Sequence, residues 1–414
     1  MKISLLFLFV LLIHTSSFSQ NVKVENWKID LDSLQNGLLQ KDFLFHHFSK
    51  KDFKGEVSLL KKDLCLYNTA TIYWRLMQIF SLFKDSNLQI FKDNFNFFPF
   101  EVERFKNDYY ITKIHADYSS FLSHKLIAIN NIPINRLIKK IKAINVPSYK
   151  AIANKSLLEF LNVSKTDTLT LTVFLNKKTN IQLPFIDTFL EEELATIIPK
   201  KIPLYKEKSD RWFWMYGINF GQQVFFKYNV GLSKEFFTKM KDSLGWNAFV
   251  CAKKYNIRSQ SVYDAPTFTD FTENLIRKFD KKRYKKLFVD LRGNTTGSVL
   301  AIHELINKIA KLKRINKRNK LFLLVDNTIS SSAIVTILAF KKNTNAIVIG
   351  EAVTGTINNT DMISDFYLPN SGFKISFPIK KLDLITITPS IIVEKTIHHY
   401  INGIDPILQK ALDQ

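Results

Sequence analysis

Between residues 287 and 349 the chain reads strand, helix, strand, helix, strand, and that order leaves few folds open. Leu287-Phe288-Val289 is an unbroken apolar run, and Ile302, Leu305, Ile306 and Ile309 then recur at helical spacing. Leu321-Phe322-Leu323-Leu324-Val325 is a second apolar run, a helix follows from 331 to about 342, and Ala346-Ile347-Val348-Ile349 closes the series. Short apolar runs are strands buried on both faces, and helical connections between them make the strands parallel through right-handed crossovers. Sheets of this kind bind ligands beyond the carboxyl ends of their strands. The loops after Val289, Val325 and Ile349 are therefore where chemistry belongs.

The rest of the chain has a different texture. At 414 residues it is two to three times the usual domain length. From 31 to 83 the pattern is helical, with Ile72, Leu76, Ile79 and Phe80 on one face. Between 100 and 185 short β-type runs take over, among them Tyr109-Tyr110-Ile111-Thr112, Lys125-Leu126-Ile127-Ala128-Ile129 and Thr168-Leu169-Thr170-Leu171-Thr172-Val173, with helical stretches near 134–144 and 156–161. An α+β module is the economical reading of that section. At the start, Lys2, an apolar run over 3–13 and Ser17-Phe18-Ser19 before Gln20 have the form of a signal peptide cut after Ser19. The run is too short for a permanent anchor. The expected organisation is a signal peptide over 1–19, a helical region over 20–95, the module over 96–186 and the α/β core over 187–414. An exported chain, periplasmic or secreted, with no transmembrane anchor after cleavage follows from this. Cys65 and Cys251 could pair in an oxidising compartment, but two unpaired buried thiols are the simpler expectation.

Hydrophobic content of 46% with 23% charged residues excludes a disordered, collagen-like or coiled-coil chain. Lys+Arg 59 against Asp+Glu 37 gives a net charge of +22. Lys281-Lys282-Arg283-Tyr284-Lys285-Lys286 and the 311–320 stretch, where six of ten residues are basic, concentrate that charge. Such clusters can bind nucleic acid or anionic lipid. Both abut strand starts, at the end of the sheet opposite the loops, so they read as solvated ends and nucleic acid is not the expected partner. His398-His399 has no acidic or cysteine partner at ligand spacing, which argues against a metal. No phosphate-binding or dinucleotide loop is present, so no cofactor is expected.

The three loops read Asp290-Leu291-Arg292-Gly293-Asn294-Thr295-Thr296-Gly297, Asp326-Asn327-Thr328-Ile329-Ser330-Ser331-Ser332-Ala333 and Gly350-Glu351-Ala352-Val353-Thr354-Gly355-Thr356. A serine at a strand-to-helix turn suits a nucleophile whose attack generates an oxyanion, and it equally suits an ordinary helix cap. In order and spacing the loops resemble the tail-specific, or C-terminal-processing, serine peptidase family. Its members carry Asp-Leu-Arg-x-Asn-x-Gly-Gly, a serine loop and Gly-Glu-Pro-Thr-x-Gly-Lys. The resemblance places the nucleophile on Ser331 and implies an oxyanion or groove role for Gly293, Thr296, Gly297 and Ser332. Leu368-Pro369-Asn370-Ser371, Gly403-Ile404-Asp405-Pro406-Ile407-Leu408 and the Val224-Phe225-Phe226 strand before Tyr228-Asn229 look like further landmarks of a bacterial branch. The 125–144 segment, with its Ile-Asn-Asn-Ile-Pro turn before a helix, is similar to the PDZ-type module of such enzymes. The fold implied is α/β: a crotonase-like core of parallel strands with layered helices, an α+β PDZ-like module and a small helical N-terminal unit.

The sequence departs from the family where a base is needed. Thr356 stands at the family's lysine and Asn87 at the histidine of its other branch, and neither side chain titrates near neutral pH. Lys341 and Lys342 lie at the far end of the serine's helix, on the order of 15 Å away. Thr296 replaces a glycine of the oxyanion turn, and Ala352 and Val353 replace Pro-Thr. His303 and Glu351 are alternative bases; a half-buried helix residue and a structural hydrogen bond are the plainer expectations for them. The expected function is hydrolysis or binding of extended polypeptide segments, with Ser331 as nucleophile. The alternative is a non-catalytic, peptide-binding pseudopeptidase. A third reading is a surface-binding module using the basic clusters. Asp290, Ser331 and Glu351 should converge within about 20 Å at one end of a single sheet.

Overall fold

The computed structural model describes residues 23–414 apart from 86, 93–94, 145, 147–148, 221, 256, 281–283, 296–299, 331, 357–362 and 381–383. Three helices come first: α1 Val24–Leu39, α2 Lys50–Lys62 and α3 Thr69–Leu82. Ser49 and Asn68 start α2 and α3 by accepting the N–H groups of Asp52 and Thr71, which the free helix ends would otherwise leave unpaired. Ile72, Leu76, Ile79 and Phe80 are all buried, as their spacing predicts. β1, Gln89–Phe91, follows.

The next section is β2 Phe100–Phe105, β3 Asp108–His115, β4 Lys125–Ile129, β5 Ile132–Pro133, α4 Ile134–Ala143, α5 Lys155–Phe160, β6 Thr168–Phe174, β7 Lys178–Pro184 and β8 Leu194–Thr196. Its antiparallel sheet runs β2-β3-β4-β6-β7, with β5 added to β4 and β8 to β3. In β6 the threonines alternate with buried Leu169, Leu171 and Val173, the two-residue period of a half-buried strand. Asn130 and Asn131, at φ 46° and 62°, make the two-residue turn between β4 and β5. Asn130 also braces β6, accepting from Thr170 N–H at 2.7 Å.

The third section holds β9 Phe213–Ile218, β10 Gln223–Tyr228, α6 Lys234–Leu244, α7 Ala248–Tyr255, α8 Ser259–Tyr263, α9 Phe268–Asp280, β11 Lys286–Asp290, α10 Leu300–Lys311, β12 Leu321–Val325, α11 Ser332–Asn343 and β13 Ile347–Gly350. It ends with β14 Val353–Thr356, β15 Ile363–Tyr367, β16 Lys374–Pro378, β17 Leu384–Ile387, β18 Ile391–Ile392, α12 Ile397–Asn402 and α13 Pro406–Leu412. The main sheet runs β18-β13-β12-β11-β10-β9, parallel throughout except for β9. Both of its faces are covered. Leu287, Val289, Leu323 and Val325 pack with α9, α10 and α11, whereas Phe288, Phe322 and Leu324 meet Ile407, Leu408 and Ala411 of α13. This explains the unbroken apolar runs: each residue of the strand faces one helical layer or the other. The fold class is therefore mixed α/β, as the strand–helix order predicts, although the sheet begins one antiparallel strand earlier than Val224-Phe225-Phe226.

One hydrophobic cluster joins α1–α3, the antiparallel sheet and the β15–β16 hairpin, through Leu368, Phe373, Ile375 and Phe377. β1 pairs with β16, and buried Asp30 of α1 accepts the N–H groups of Asn370 and Ser371, each at 2.8 Å. The Leu-Pro-Asn-Ser landmark is thus a turn held by the first helix. Both cysteines are free, but the expectation of two buried thiols fails for Cys65, which is exposed on a short turn between α2 and α3. Among the described residues no helix is long and apolar enough to cross a membrane.

Candidate active site

Beneath the carboxyl ends of β10 and β11 lies a saturated ion network. Lys227 and Asp290 are register partners on adjacent parallel strands, and their side chains meet at 3.3 Å. The Lys227 ammonium also donates to the Arg292 carbonyl. Arg292, fully buried, donates from Nε to both Asp290 oxygens at 3.1 and 3.0 Å, and from Nη1 and Nη2 to Asp405 at 2.7 and 2.8 Å. Asp405 in turn caps α13 by accepting Leu408 N–H. Burial alone would raise the Asp290 carboxyl, but Arg292 and Lys227 outweigh it and hold it below the ordinary value. Burial dominates at Lys227 and lowers its ammonium, with Asp290 offsetting only part. Two landmarks 113 positions apart, Asp-Leu-Arg and Gly-Ile-Asp-Pro, are therefore two halves of one buried clamp.

Above the clamp, two carboxylates tie the loops together. Asp326, at the end of β12, accepts from Gly293 N–H (3.3 Å) and from the Thr328 N–H (3.3 Å) and hydroxyl (2.6 Å), all through Oδ1. Its Oδ2 faces Lys395 Nζ at 3.5 Å. Gly293, at φ 72°, makes the turn that aims its N–H this way. Ser330 N–H donates to the Asn294 carbonyl at 3.3 Å, joining the serine loop to the turn after β11. Glu351 accepts Asn327 N–H at 3.3 Å, the structural hydrogen bond expected of it. Gly350 is required at φ 137°, because a Cβ there would lie 1.9 Å from the Val325 carbonyl oxygen.

Ser331, Thr296 and Gly297 lie outside the described residues, as does the 1–19 segment. Their neighbours show where the serine loop runs: Ser330 lies against Asn294, and Ser332 is buried at the start of α11. Asp290 ends β11 and Glu351 follows β13, and these strands flank β12, so both residues sit at the same end of one sheet. Thr356 ends β14 opposite Leu384. Asn87 is buried just before β1, with its backbone N–H and Nδ2 both donated to Asp85 Oδ1. His303 corrects an expectation: it is exposed in the first turn of α10, because the buried stripe of that helix is carried by Ile302, Leu305, Ile306 and Ile309.

The loops open onto a cleft of about 850 Å³ between the main sheet and the antiparallel module. Phe105, Tyr109, Ile138 and Ile141 line it from the module, and Asp326, Thr328, Glu351, Thr354 and Lys395 from the loops. Tyr205 and Lys206, from the segment joining β8 to β9, complete it. The Tyr205 ring is ringed by cations, with the Arg292 guanidinium 4.0 Å, Lys395 Nζ 5.5 Å and Lys206 Nζ 5.9 Å from its centroid. Lys395 and Lys206 carry no motif. Lys227 was legible only as a lysine interrupting an apolar strand.

The sequence matches no protein-family model and no curated protein. Solved structures do match. Mature CPAF complexed with lactacystin aligns over 94% of this chain and 97% of its own, at 11% identity and a TM-score of 0.60. Mature CPAF alone aligns over 94% and 96%, at 12% identity and a TM-score of 0.57. At lower similarity, the photosystem II D1 C-terminal processing protease aligns over 89% and 93%, at 9% identity and a TM-score of 0.36. Nearly complete coverage in both directions shows that the chain has the fold of the mature CPAF structures.

Proposed function

We propose that the protein is an exported relative of the tail-specific peptidases that takes extended polypeptide into the cleft between its PDZ-like module and its α/β core, with Ser331 as the candidate nucleophile. The observation that carries this reading is the cleft itself: the serine loop, the turn after β11 and the segment after β13 are tied to one another at its edge by Asp326, Asn294 and Glu351. β14 reaches the cleft at Thr354 and, among the described residues, pairs only with β17, which suits it to accept an added strand. Loss of titratable groups at Thr356 and Asn87 makes binding the stronger part of the activity and hydrolysis weak, since a general base contributes about two to four orders of magnitude.

The test compares wild type, Ser331→Ala and Thr356→Lys on an unfolded protein substrate, alongside binding of unstructured peptides. Peptide binding without appreciable cleavage, with cleavage gained in Thr356→Lys, is the expected result. Brisk cleavage by wild type that Ser331→Ala abolishes would refute the pseudopeptidase form and send the search for a base to Glu351. Absence of binding by any peptide would sink the reading as a whole. Lactacystin, present in one of the CPAF structures, is a small molecule to titrate against wild type and Ser331→Ala.

A further inference from the structure

We infer that the end of the main sheet opposite the cleft docks onto an anionic lipid bilayer, with Phe220 as the side chain that enters it. The inference is independent of the peptide-binding reading. Phe220 sits in the 219–222 turn between β9 and β10, and it is 98% exposed, more than any other large apolar residue among those described. Asn219 and Phe220 both have positive φ, 51° and 53°. That conformation is uncommon for a bulky side chain and stores backbone strain. The turn thus holds an aromatic ring out in water instead of folding it onto the sheet.

Cations gather at the same end. Lys285 N–H donates to the Gln222 carbonyl at 2.7 Å, which joins the turn to the basic segment before β11. The 312–320 segment is held there by three ties. Leu287 N–H donates to the Lys320 carbonyl at 2.8 Å, Arg314 Nη1 to the Phe279 carbonyl of α9 at 3.5 Å, and Asn345, just before β13, bonds Asn316 at 2.6 and 3.1 Å. Lys313, Lys317 and Arg318 of this segment are exposed, as are Lys285 and, at the end of α11, Lys341 and Lys342. Among the described residues none of these six has an ion pair. Lys308 of α10 differs, pairing with Glu273 at 2.9 Å and Glu304 at 3.0 Å. Neither 308–320 nor 340–347 contains Asp or Glu. Exposed Asp413, beside the Leu412 carbonyl that takes Lys286 Nζ at 3.4 Å, offsets one of the charges.

An exposed aromatic among unpaired cations matches a bilayer interface. Each cation is drawn to the anionic surface over about a Debye length, and the ring gains by leaving water for the acyl boundary. A nucleic acid would use the cations but would need unpaired bases to employ the ring, whereas a bilayer engages both at once. Docking in this way leaves the carboxyl ends of the strands, and the cleft beside them, facing away from the membrane.

The test sediments the full chain with vesicles of phosphatidylcholine alone, or with about one third phosphatidylglycerol. The 1–19 segment is common to every variant and cancels in the comparison. Anionic vesicles should bind at least about tenfold more tightly than neutral ones, and the preference should fall with added salt. Lys317→Ser/Arg318→Ser should weaken anionic binding about thirtyfold and Phe220→Ser about tenfold. Lys177→Ser/Lys178→Ser, at the exposed β6–β7 turn, is the control for net charge and should change binding by about twofold or less. Phe220→Trp reads the contact directly: its emission, less that of wild type, should shift to the blue on anionic vesicles only. Equal binding to both vesicle types overturns the inference, as does a control pair that costs as much as Lys317→Ser/Arg318→Ser, or an unshifted Phe220→Trp signal. Tighter binding of a DNA oligonucleotide than of anionic vesicles, with Phe220→Ser silent on the vesicles, would assign the surface to nucleic acid and overturn it too.

Discussion

Arg292 and Lys206 share one tyrosine ring, Tyr205, and live in opposite surroundings. Arg292 is fully buried between two carboxylates and uses its Nε, Nη1 and Nη2 donors on them. Lys206 is exposed and, among the described residues, has no ion-pair or hydrogen-bond partner, its ammonium lying over the Tyr400 ring at 5.0 Å. The contrast separates charge that serves the fold from charge left to water. Asp290, Arg292 and Asp405 hold a strand end to α13.

The largest effect should come from breaking the saturated side. Arg292→Met leaves Asp405 and Asp290 buried with their main counter-charge gone, and removal of one partner from a buried pair costs about 3–5 kcal/mol. Thermal and urea unfolding should both show it. The pH dependence has a definite sign. The Asp290 pKa is depressed in the folded protein, so its contribution is present above the unfolded value near 4 and is lost as pH falls through the folded one. Arg292→Met should therefore also flatten the acid limb of the stability curve. A cost below about 1 kcal/mol would mean that the clamp is not what holds the sheet end.

This asymmetry also governs what the sequence could reveal. Parallel order was legible because β11, β12 and β13 are buried on both faces and so read as unbroken apolar runs. The Asn130-Asn131 turn was legible because only a few residues tolerate two consecutive positive φ angles. The clamp was visible as three landmark residues but not as one object, because Arg292 and Asp405 lie 113 positions apart and nothing local links them. The attachment of the β15–β16 hairpin to α1 through Asp30 was invisible for the same reason. The placing of Lys206 over the Tyr400 ring was equally invisible, because a lone lysine in a chain with 59 Lys and Arg residues carries no signal.

An intermediate effect is expected at Asp326, which belongs to both sides of the comparison. Asp326→Asn keeps an acceptor for Gly293 and Thr328 but loses the charge facing Lys395, at a cost of about 1 kcal/mol for a partly exposed pair. Asp326→Ala orphans both N–H groups as well and should cost about 2–3 kcal/mol. If the two variants are equally destabilised, the carboxylate matters only as the partner of Lys395 and does not position the loops. Urea midpoints at unchanged m-value make the comparison.

The smallest effect is the most discriminating, because it has opposite signs at two lysines of one cleft. Burial works against the Lys395 charge, but Asp326 together with Tyr205 and Glu351 outweighs it and the folded pKa is raised. Its stabilising contribution is therefore complete below the unfolded value and declines as pH rises through the folded one. At Lys206 burial prevails and the folded pKa is lowered. The folded state then releases its proton first, and stability rises with pH between that lowered value and about 10.4. Other lysines contribute equally to wild type and variant, so the informative quantity is the difference between them. Relative to wild type, Lys206→Met should lose ground on going from pH 8 to pH 10, and Lys395→Met should gain it only above about pH 10.4. At pH 7 the Lys206 substitution should stay within about 0.5 kcal/mol of wild type, as for other solvent-accessible positions. Parallel pH curves for wild type and Lys206→Met would mean that the Lys206 ammonium is fully hydrated in the folded protein.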